Sequence, residues 1–276
     1  MARLKWLSLA IPTVEMDPVT ENSTPPAHAR VTSTDVLKTA ALVFILFDHI
    51  GYFLAEEWPV LRAIGRLGVP IFFFLIGFAK TRDIPVRWLI IGAVLMGVDF
   101  LRGGSLNAVQ INILFNFALI RLALPVIERH ALVPGWRMLV LVVLLILMIP
   151  LVNPAIEYGT EGWLFALMGL LRRRQVDEME LAERWLMPIV GFAAVATFVV
   201  VESRDFTFGV LNVALLLVGV LAVKEILARF RRFDLPSQPR PAASRMLRVC
   251  GHYSLELYAA QIILLAAAAW LWSIAQ

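Results

Sequence analysis

The run "FILFDHIGYFL" (44–54) sets an acid and an imidazole, Asp48 and His49, in the middle of an otherwise apolar stretch. Imidazole is well suited to take and give protons near neutral pH, and an ionisable group inside an apolar run is costly enough to mark a functional site by default. Two readings of His49 stand side by side: a general base, or a ring that hydrogen-bonds a backbone carbonyl or lines a water pocket. Lys38 precedes it by eleven residues. Eleven steps of 100° return to within about 20° of the same helix face and rise about 16 Å, so one face carries a cation at one end and an imidazole deep inside. Adjacent helical residues do not face each other, so the partner of Asp48 has to come from another helix. Arg66 in "IGRLGVPIFFFLIGF" (64–78) is the nearest candidate and Arg102 the next. An Asp48–Arg66 pair neutralises two expensive charges together, as a lock between helices or in catalysis.

Other polar groups interrupt apolar sequence in the same way. "NAVQINILFNFALIR" (107–121) places Asn112 and Asn116 four residues apart, with Asn107 and Gln110 before them and Arg121 further on. Such amides serve as glue between helices, or as the wall of a cavity in which Arg121 reaches an anionic ligand. "EYGTEG" (157–162) sets Glu157 and Glu161 one turn apart, either as a solvated surface pair or with a carboxylate ordering an incoming amine. "GHYSLELYAAQI" (251–262) sets His252 and Glu256 one turn apart, where a local contact is the simplest account. There is no GxSxG elbow, P-loop, HExxH or CxxC, and four histidines with one cysteine form no metal-ligand pattern. This argues against a metalloprotease, a P-loop ATPase and a haem protein, and predicts no metal.

The elements that position these residues follow from composition. With 60% hydrophobic and 17% charged residues and a mean hydropathy of +0.78, the 276-residue chain is too apolar for one soluble core. Several runs approach the roughly 20 apolar residues that cross a bilayer. The expected fold is all-α, a polytopic membrane bundle of about nine helices at 36–54, 63–79, 86–101, 109–127, 136–152, 161–171, 185–201, 207–227 and 253–274. With a cytoplasmic amino terminus, all of the 25 Lys and Arg except Arg62, Arg66, Arg102, Arg204 and the intrahelical Arg121 fall on the inner side, as the positive-inside rule requires. The sequence pI near 9.6 then describes a membrane-facing surface and calls for no nucleic-acid partner.

Residues 1–31, with Pro12, Pro18, Pro25 and Pro26 among polar residues, read as a flexible cytoplasmic tail ahead of a membrane domain at 32–276. The apolar "WLSLAI" near its start is too short for a signal peptide. "TSTD" (32–35) has capping-box spacing for the first helix. The segment 230–248, with three prolines and five arginines, reads as a solvated loop that sets topology, or as a contact for phosphates. The single Cys250 cannot form an internal disulfide.

Three stretches in this order, "LKTAALVFILFDHIG" (37–51), "IGRLGVPIFFFLIGF" (64–78) and "EYGTEGWLFALMGLL" (157–171), resemble the TraX family of bacterial membrane acetyltransferases. The closing "YSLELYAAQIILL" (253–265) resembles that family and the broader acyltransferase-3 superfamily, whose first helix carries a basic residue and a histidine at the spacing of Lys38 and His49. The resemblance implies an enzyme of the bacterial inner membrane that moves an acetyl group from cytoplasmic acetyl-CoA to an acceptor at or beyond the membrane. The typical acceptor is the amino terminus of a conjugative pilin subunit. It makes His49 the general base, worth roughly 10² to 10⁴-fold, with Asp48 and Arg66 holding the pocket. Arg66 or an asparagine of the fourth helix stabilises the oxyanion. Lys38, Lys80, Arg82, Arg121 and the run Arg172, Arg173, Arg174 are the candidates for CoA phosphates. Asn112, Asn116 and Glu161 are the candidates for the acceptor. Gln261 stands where these families often have histidine, and glutamine cannot shuttle a proton. O-acetylation of an envelope glycan or lipid, and a non-catalytic transporter or assembly factor whose charges line a path, are the alternatives. Membrane lipids are partners in every case.

Overall fold

The computed structural model describes residues 30–55, 57–103, 110–132, 135–177, 184–236 and 239–275. Among these residues the chain forms helices and two isolated β-bridges, with no strand. The helices are α1 (Ser33–Phe53), α2 (Pro59–Gly65), α3 (Gly68–Phe78), α4 (Val86–Gly103), α5 (Ile113–His130), α6 (Trp136–Val152), α7 (Glu161–Asp177), α8 (Leu186–Asp205), α9 (Val210–Arg229), α10 (Pro241–His252) and α11 (Ser254–Ala275). Five units are long and apolar enough to cross a membrane: α1, α2 with α3, α8, α9 and α11. Large apolar side chains such as Leu147, Leu151, Val210, Leu264, Trp270 and Trp272 stay exposed, which suits a surface solvated by lipid. The protein is a helical membrane protein. All but the last two residues of the expected tail at 1–31 lie outside the described residues.

The expected helix starts are largely right and their bounds are adjusted by caps. Thr32 caps α1 through the capping box with Asp35, in which Asp35 N donates to Thr32 Oγ1 at 3.3 Å and Thr32 N to Asp35 Oδ2 at 2.9 Å. The fourth expected helix begins at Ile113, not at 109, because the Asn112 side chain accepts from Leu114 N at 3.1 Å and fixes the start there. The second expected helix is broken in two. Pro70 has no N–H to give the carbonyl of Arg66, which accepts instead from Val69 N at 3.3 Å, while Leu67 N turns tightly to Ile64 O at 3.1 Å. The break falls at Arg66, one of the residues the sequence singles out.

Segment 230–248 is not wholly a loop. From Pro241 it becomes α10, an amphipathic helix with Pro at its first turn, buried Ser244 and Gly251, and exposed Met246 and Val249. Preceding it, 231–235 clasp the start of α1. Ser33 N donates to Phe233 O (2.9 Å), Ser33 Oγ to Arg231 O (2.9 Å), and Leu235 N to Val31 O (3.0 Å).

The core centres on α3 against α7 and α1 against α2, α3, α10 and α11. Helices approach most closely at glycines. A side chain at Gly77 would fall on the carbonyl of Ala166, and one at Gly65 on the backbone of Asp48. Small residues let membrane helices approach backbone to backbone, and at Gly65 that approach presses α2 and its following Arg66 onto the turn of α1 carrying Asp48.

Candidate functional site

Asp48, His49 and Arg66 come together, as the sequence predicts, in a cavity of about 530 Å³. All three are buried. Asp48 Oδ1 lies 3.0 Å from Arg62 Nη1 and 3.5 Å from Arg66 Nε, and Arg66 Nε lies 3.1 Å from Glu202 Oε2. These are ion pairs by distance; Arg66 Nε, Asp48 Oδ1 and Glu202 Oε2 lack an aligned hydrogen bond. Arg62 also donates to the backbone oxygen of Asp48 at 3.0 Å, and Arg66 donates to the Tyr158 hydroxyl. Both guanidiniums cover the Phe206 ring, at 4.5 Å and 4.3 Å.

Arg62, Glu202 and Phe206 escaped the sequence reading as site residues. Arg62 lies one turn before Arg66, and that spacing was a usable signal. Glu202 lies 136 positions beyond Arg66, and no local pattern announces the meeting. Two backbone outliers adjoin the same wall, Tyr158 with φ 56° and Thr207 with φ 47°, conformations sparsely populated by residues with side chains.

The acidic pair of "EYGTEG" is not a solvated surface pair. Glu161 is 2% exposed and its Oε2 has no hydrogen-bond partner. Glu157 is half-buried and accepts from Ile113 N at 3.0 Å. Burial pushes the Glu157 carboxyl up to about 7, against the pull of that backbone N–H and of Arg66. Burial likewise pushes the Tyr158 phenol well above its ordinary value. The chamber is lined by six carboxylates, from Asp48, Asp99, Glu157, Glu161, Glu202 and Asp205, against the guanidiniums of Arg62 and Arg66.

Of the two asparagines, Asn112 lines this chamber and Asn116 does not. Asn116 is glue. Its Nδ2 donates to the carbonyls of Glu157 and Gly159 at 3.0 Å each, and its Oδ1 accepts from Trp163 Nε1 at 2.8 Å. His49 packs its ring 5.6 Å from that of Tyr258 and 6.3 Å from that of Phe53, and its Nδ1 has no hydrogen-bond partner. Gln261 is its neighbour on α11, with an unpartnered Oε1 and an Nε2 that donates to Leu42 O at 3.5 Å.

Lys38 is in a different cavity, of about 820 Å³. Its wall holds the cations Lys38, Lys80, Arg87, Arg121, Arg173 and Arg232 and, among the described residues, no carboxylate. Lys38 Nζ donates to Gly251 O at 2.8 Å, and Arg121 covers the Trp88 ring at 4.4 Å. Arg82 is not in this wall: its guanidinium is taken up by Glu128 at 2.9 Å and by Ala79 O at 2.6 Å. Of the run 172–174 only Arg173 joins the wall, its guanidinium paired with Glu128 and donating to Ala79 O at 2.9 Å, while Arg172 donates to Phe230 O at 2.9 Å. The expected His252–Glu256 contact is replaced, because the chain breaks at Tyr253 between α10 and α11 and Glu256 pairs with Arg87 at 3.1 Å. His252 stands in the basic wall. The side chain of Arg102 lies outside the described residues.

Comparison with known proteins agrees with these motifs. The chain is 35% identical over 69 residues to an uncharacterized protein of Rickettsia prowazekii (strain Madrid E), an overlap covering 25% of this chain and 28% of that protein. The chain therefore spans under a third of that relative's length. No solved structure matches. A model of the TraX protein family matches residues 33–234, from the cap of α1 through the clasp that holds it. The chain belongs to the TraX family.

Proposed function

We propose that the protein is an integral-membrane acetyltransferase that moves an acetyl group from cytoplasmic acetyl-CoA to an amine at or beyond the membrane. The observation that carries this reading is a pair of chambers set back to back along α1, one lined by cations with Lys38 in its wall, the other rich in carboxylates with His49 in its wall.

The basic wall suits a polyphosphorylated donor: it holds six cations and, among the described residues, no carboxylate, although Arg87 and Arg173 are already paired with Glu256 and Glu128. Lys38, Lys80, Arg87, Arg121, Arg173 and Arg232 would hold it, and Trp88 offers an aromatic face beside Arg121. The acidic chamber fits an acceptor that arrives as an ammonium, with the unpartnered Glu161 carboxylate as its seat. A carboxylate of the chamber takes one proton from the ammonium and frees its lone pair, His49 takes the second as the nitrogen bonds to the acetyl carbon, and the carbon–sulfur bond breaks with that proton passing to sulfur to release the coenzyme thiol. Arg66 and Asn112 stand in the same wall, where a donor to the developing oxyanion is needed. Family membership points to a pilin subunit as the acceptor, through its amino terminus.

For topology we propose nine passes, adding α4, α5, α6 and α7 to the five apolar units and laying α10 along the interface. The amino terminus and the basic chamber would then face the cytoplasm of a bacterial inner membrane, which agrees with the Lys and Arg distribution.

The test is acetyl transfer from radiolabelled acetyl-CoA in membranes carrying the wild type or His49→Ala, with native envelope components as acceptors. Label on an amine with the wild type alone is expected; label on a glycan or lipid hydroxyl would make it an O-acetyltransferase. Equal label from both variants would remove His49 from the chemistry. The paired chambers also suit a transporter, and this reading gains if acetyl-CoA fails to bind and His49→Ala keeps full function.

A further inference from the structure

The two chambers share three wall residues, Ile45 of α1, Ile113 of α5 and Tyr258 of α11. All three are buried, at 5%, 4% and 8% exposure. They come from three different helices and converge where the cavities abut. On α1, Ile45 lies one turn before His49, about 6 Å along the axis. Tyr258 packs its ring against the imidazole and its hydroxyl contacts Asn112, the cap of α5.

We propose that Ile45, Ile113 and Tyr258 form a septum between the chambers, with Tyr258 as its movable leaf, and that the aperture it leaves sets the size of the acyl group that reaches His49. The proposal rests on the acetyl-transfer reading for the acyl group alone; the septum itself stands on geometry.

Of the three, Tyr258 is the one built to move. Ile45 lies inside α1, which is packed by α2, α3, α10 and α11, and Ile113 is in the first turn of α5, pinned by the Asn112 cap and the Glu157 carboxylate. Tyr258 stands on the second turn of α11, just after the break at Tyr253 that separates α11 from α10, and the far half of α11 is exposed. Besides its packing in the core, its side chain makes a polar contact to Asn112 and a ring contact to His49. Both partners belong to the acidic chamber. A thioester approaching His49 must displace the ring.

A single native cysteine makes the test direct. Cys250→Ser removes it, and Ile262→Cys places a thiol in the acidic chamber, whose wall Ile262 joins. An anionic, membrane-impermeant methanethiosulfonate is applied from the basic face, in vesicles of the full-length protein, and the rate of modification is read by mass. With Tyr258 present the expected modification from that face is slow. Tyr258→Ala is expected to raise it at least tenfold, Ile113→Ala to raise it as an independent opening, and Tyr258→Phe to leave it within a factor of about two. A cationic reagent from the other face should modify all of them alike, which checks that each is folded. Fast modification with Tyr258 in place, or no acceleration in either alanine variant, would overturn the septum. The second readout is transfer of butyryl against acetyl groups, where Tyr258→Ala is expected to raise the ratio tenfold or more. An unchanged ratio would overturn the selectivity role. Complete absence of transfer in the wild type would sink the acetyltransferase reading and leave the thiol result to decide the septum.

Discussion

Replacing Arg66 by methionine should be among the most damaging single changes in the chain, and the structure says which second change repairs it. Arg66 is 7% exposed and sits between Asp48 at 3.5 Å and Glu202 at 3.1 Å, above Phe206 and against the Tyr158 hydroxyl. Methionine keeps the approximate length and removes the charge. Asp48 then still has Arg62 at 3.0 Å, so the group left stranded is Glu202, whose carboxylate is 3% exposed with no other cation within pairing distance among the described residues. Breaking a buried pair by removing one partner costs about 3–5 kcal/mol, whereas removing both is often near neutral. For a chain of this size that is a fall in Tm of roughly 6–20 °C. Thermal unfolding in detergent, followed by the fluorescence of the eight tryptophans, measures it. Adding Glu202→Gln to Arg66→Met should restore most of the loss, while Glu202→Asp should not. A loss under about 1 kcal/mol for Arg66→Met, or strict additivity of the two changes, would refute the reasoning.

Gly65→Ala drives a methyl into the backbone of Asp48 and should cost about 1–3 kcal/mol as overpacking, seen as a lower Tm together with a lower transfer rate. Asn116→Ala leaves the Trp163 N–H and two carbonyls without their partner. It should cost about 1–3 kcal/mol while leaving acetyl-CoA binding, read by isothermal titration, unchanged. Lys38→Met and Arg121→Met should each weaken that binding about tenfold or more, if each holds a phosphate; Arg82→Met, tied to Glu128 outside the wall, should weaken it far less. Because the folded Glu157 carboxyl titrates near 7 and the unfolded one near 4.5, the folded state holds the extra proton and stability falls as pH rises through that window. Glu157→Gln should flatten the fall, and a Tm profile unchanged by it would contradict the assignment.

The elements legible in the sequence were those written in local chemistry. The Thr32–Asp35 cap, the apolar runs and the inward-facing Asp48 and His49 depend on residues within a few positions of one another. Arg66 as the partner of Asp48 was legible because a charge in an apolar run has few places to go. The two-chamber plan was not legible. It depends on Tyr258 meeting Ile45 and Ile113 and on Glu202 meeting Arg66, and such pairings arise from helix packing that no periodicity encodes. Alpha-helical signal in α10 was masked by its flanking prolines, and the break at Arg66 by the uninterrupted apolar character around Pro70. Arg82 and Arg173 show the same limit from the other side: charge alone nominated both, both pair with Glu128 and donate to Ala79 O, and only Arg173 also reaches the chamber wall.

The clasp on the start of α1 makes the order of synthesis matter. Ser33 waits for Arg231 and Phe233, 198 and 200 positions later. At about 5–20 residues per second, α1 has been made for some 10–40 s before the segment that seats its amino-terminal end exists. Until α11 follows, one wall of both chambers, the one carrying Tyr258, is missing. A nascent chain thus carries Lys38 and His49 early, yet neither chamber can close around a ligand until α11 is in place, so any activity that needs both chambers waits for the far end of the fold.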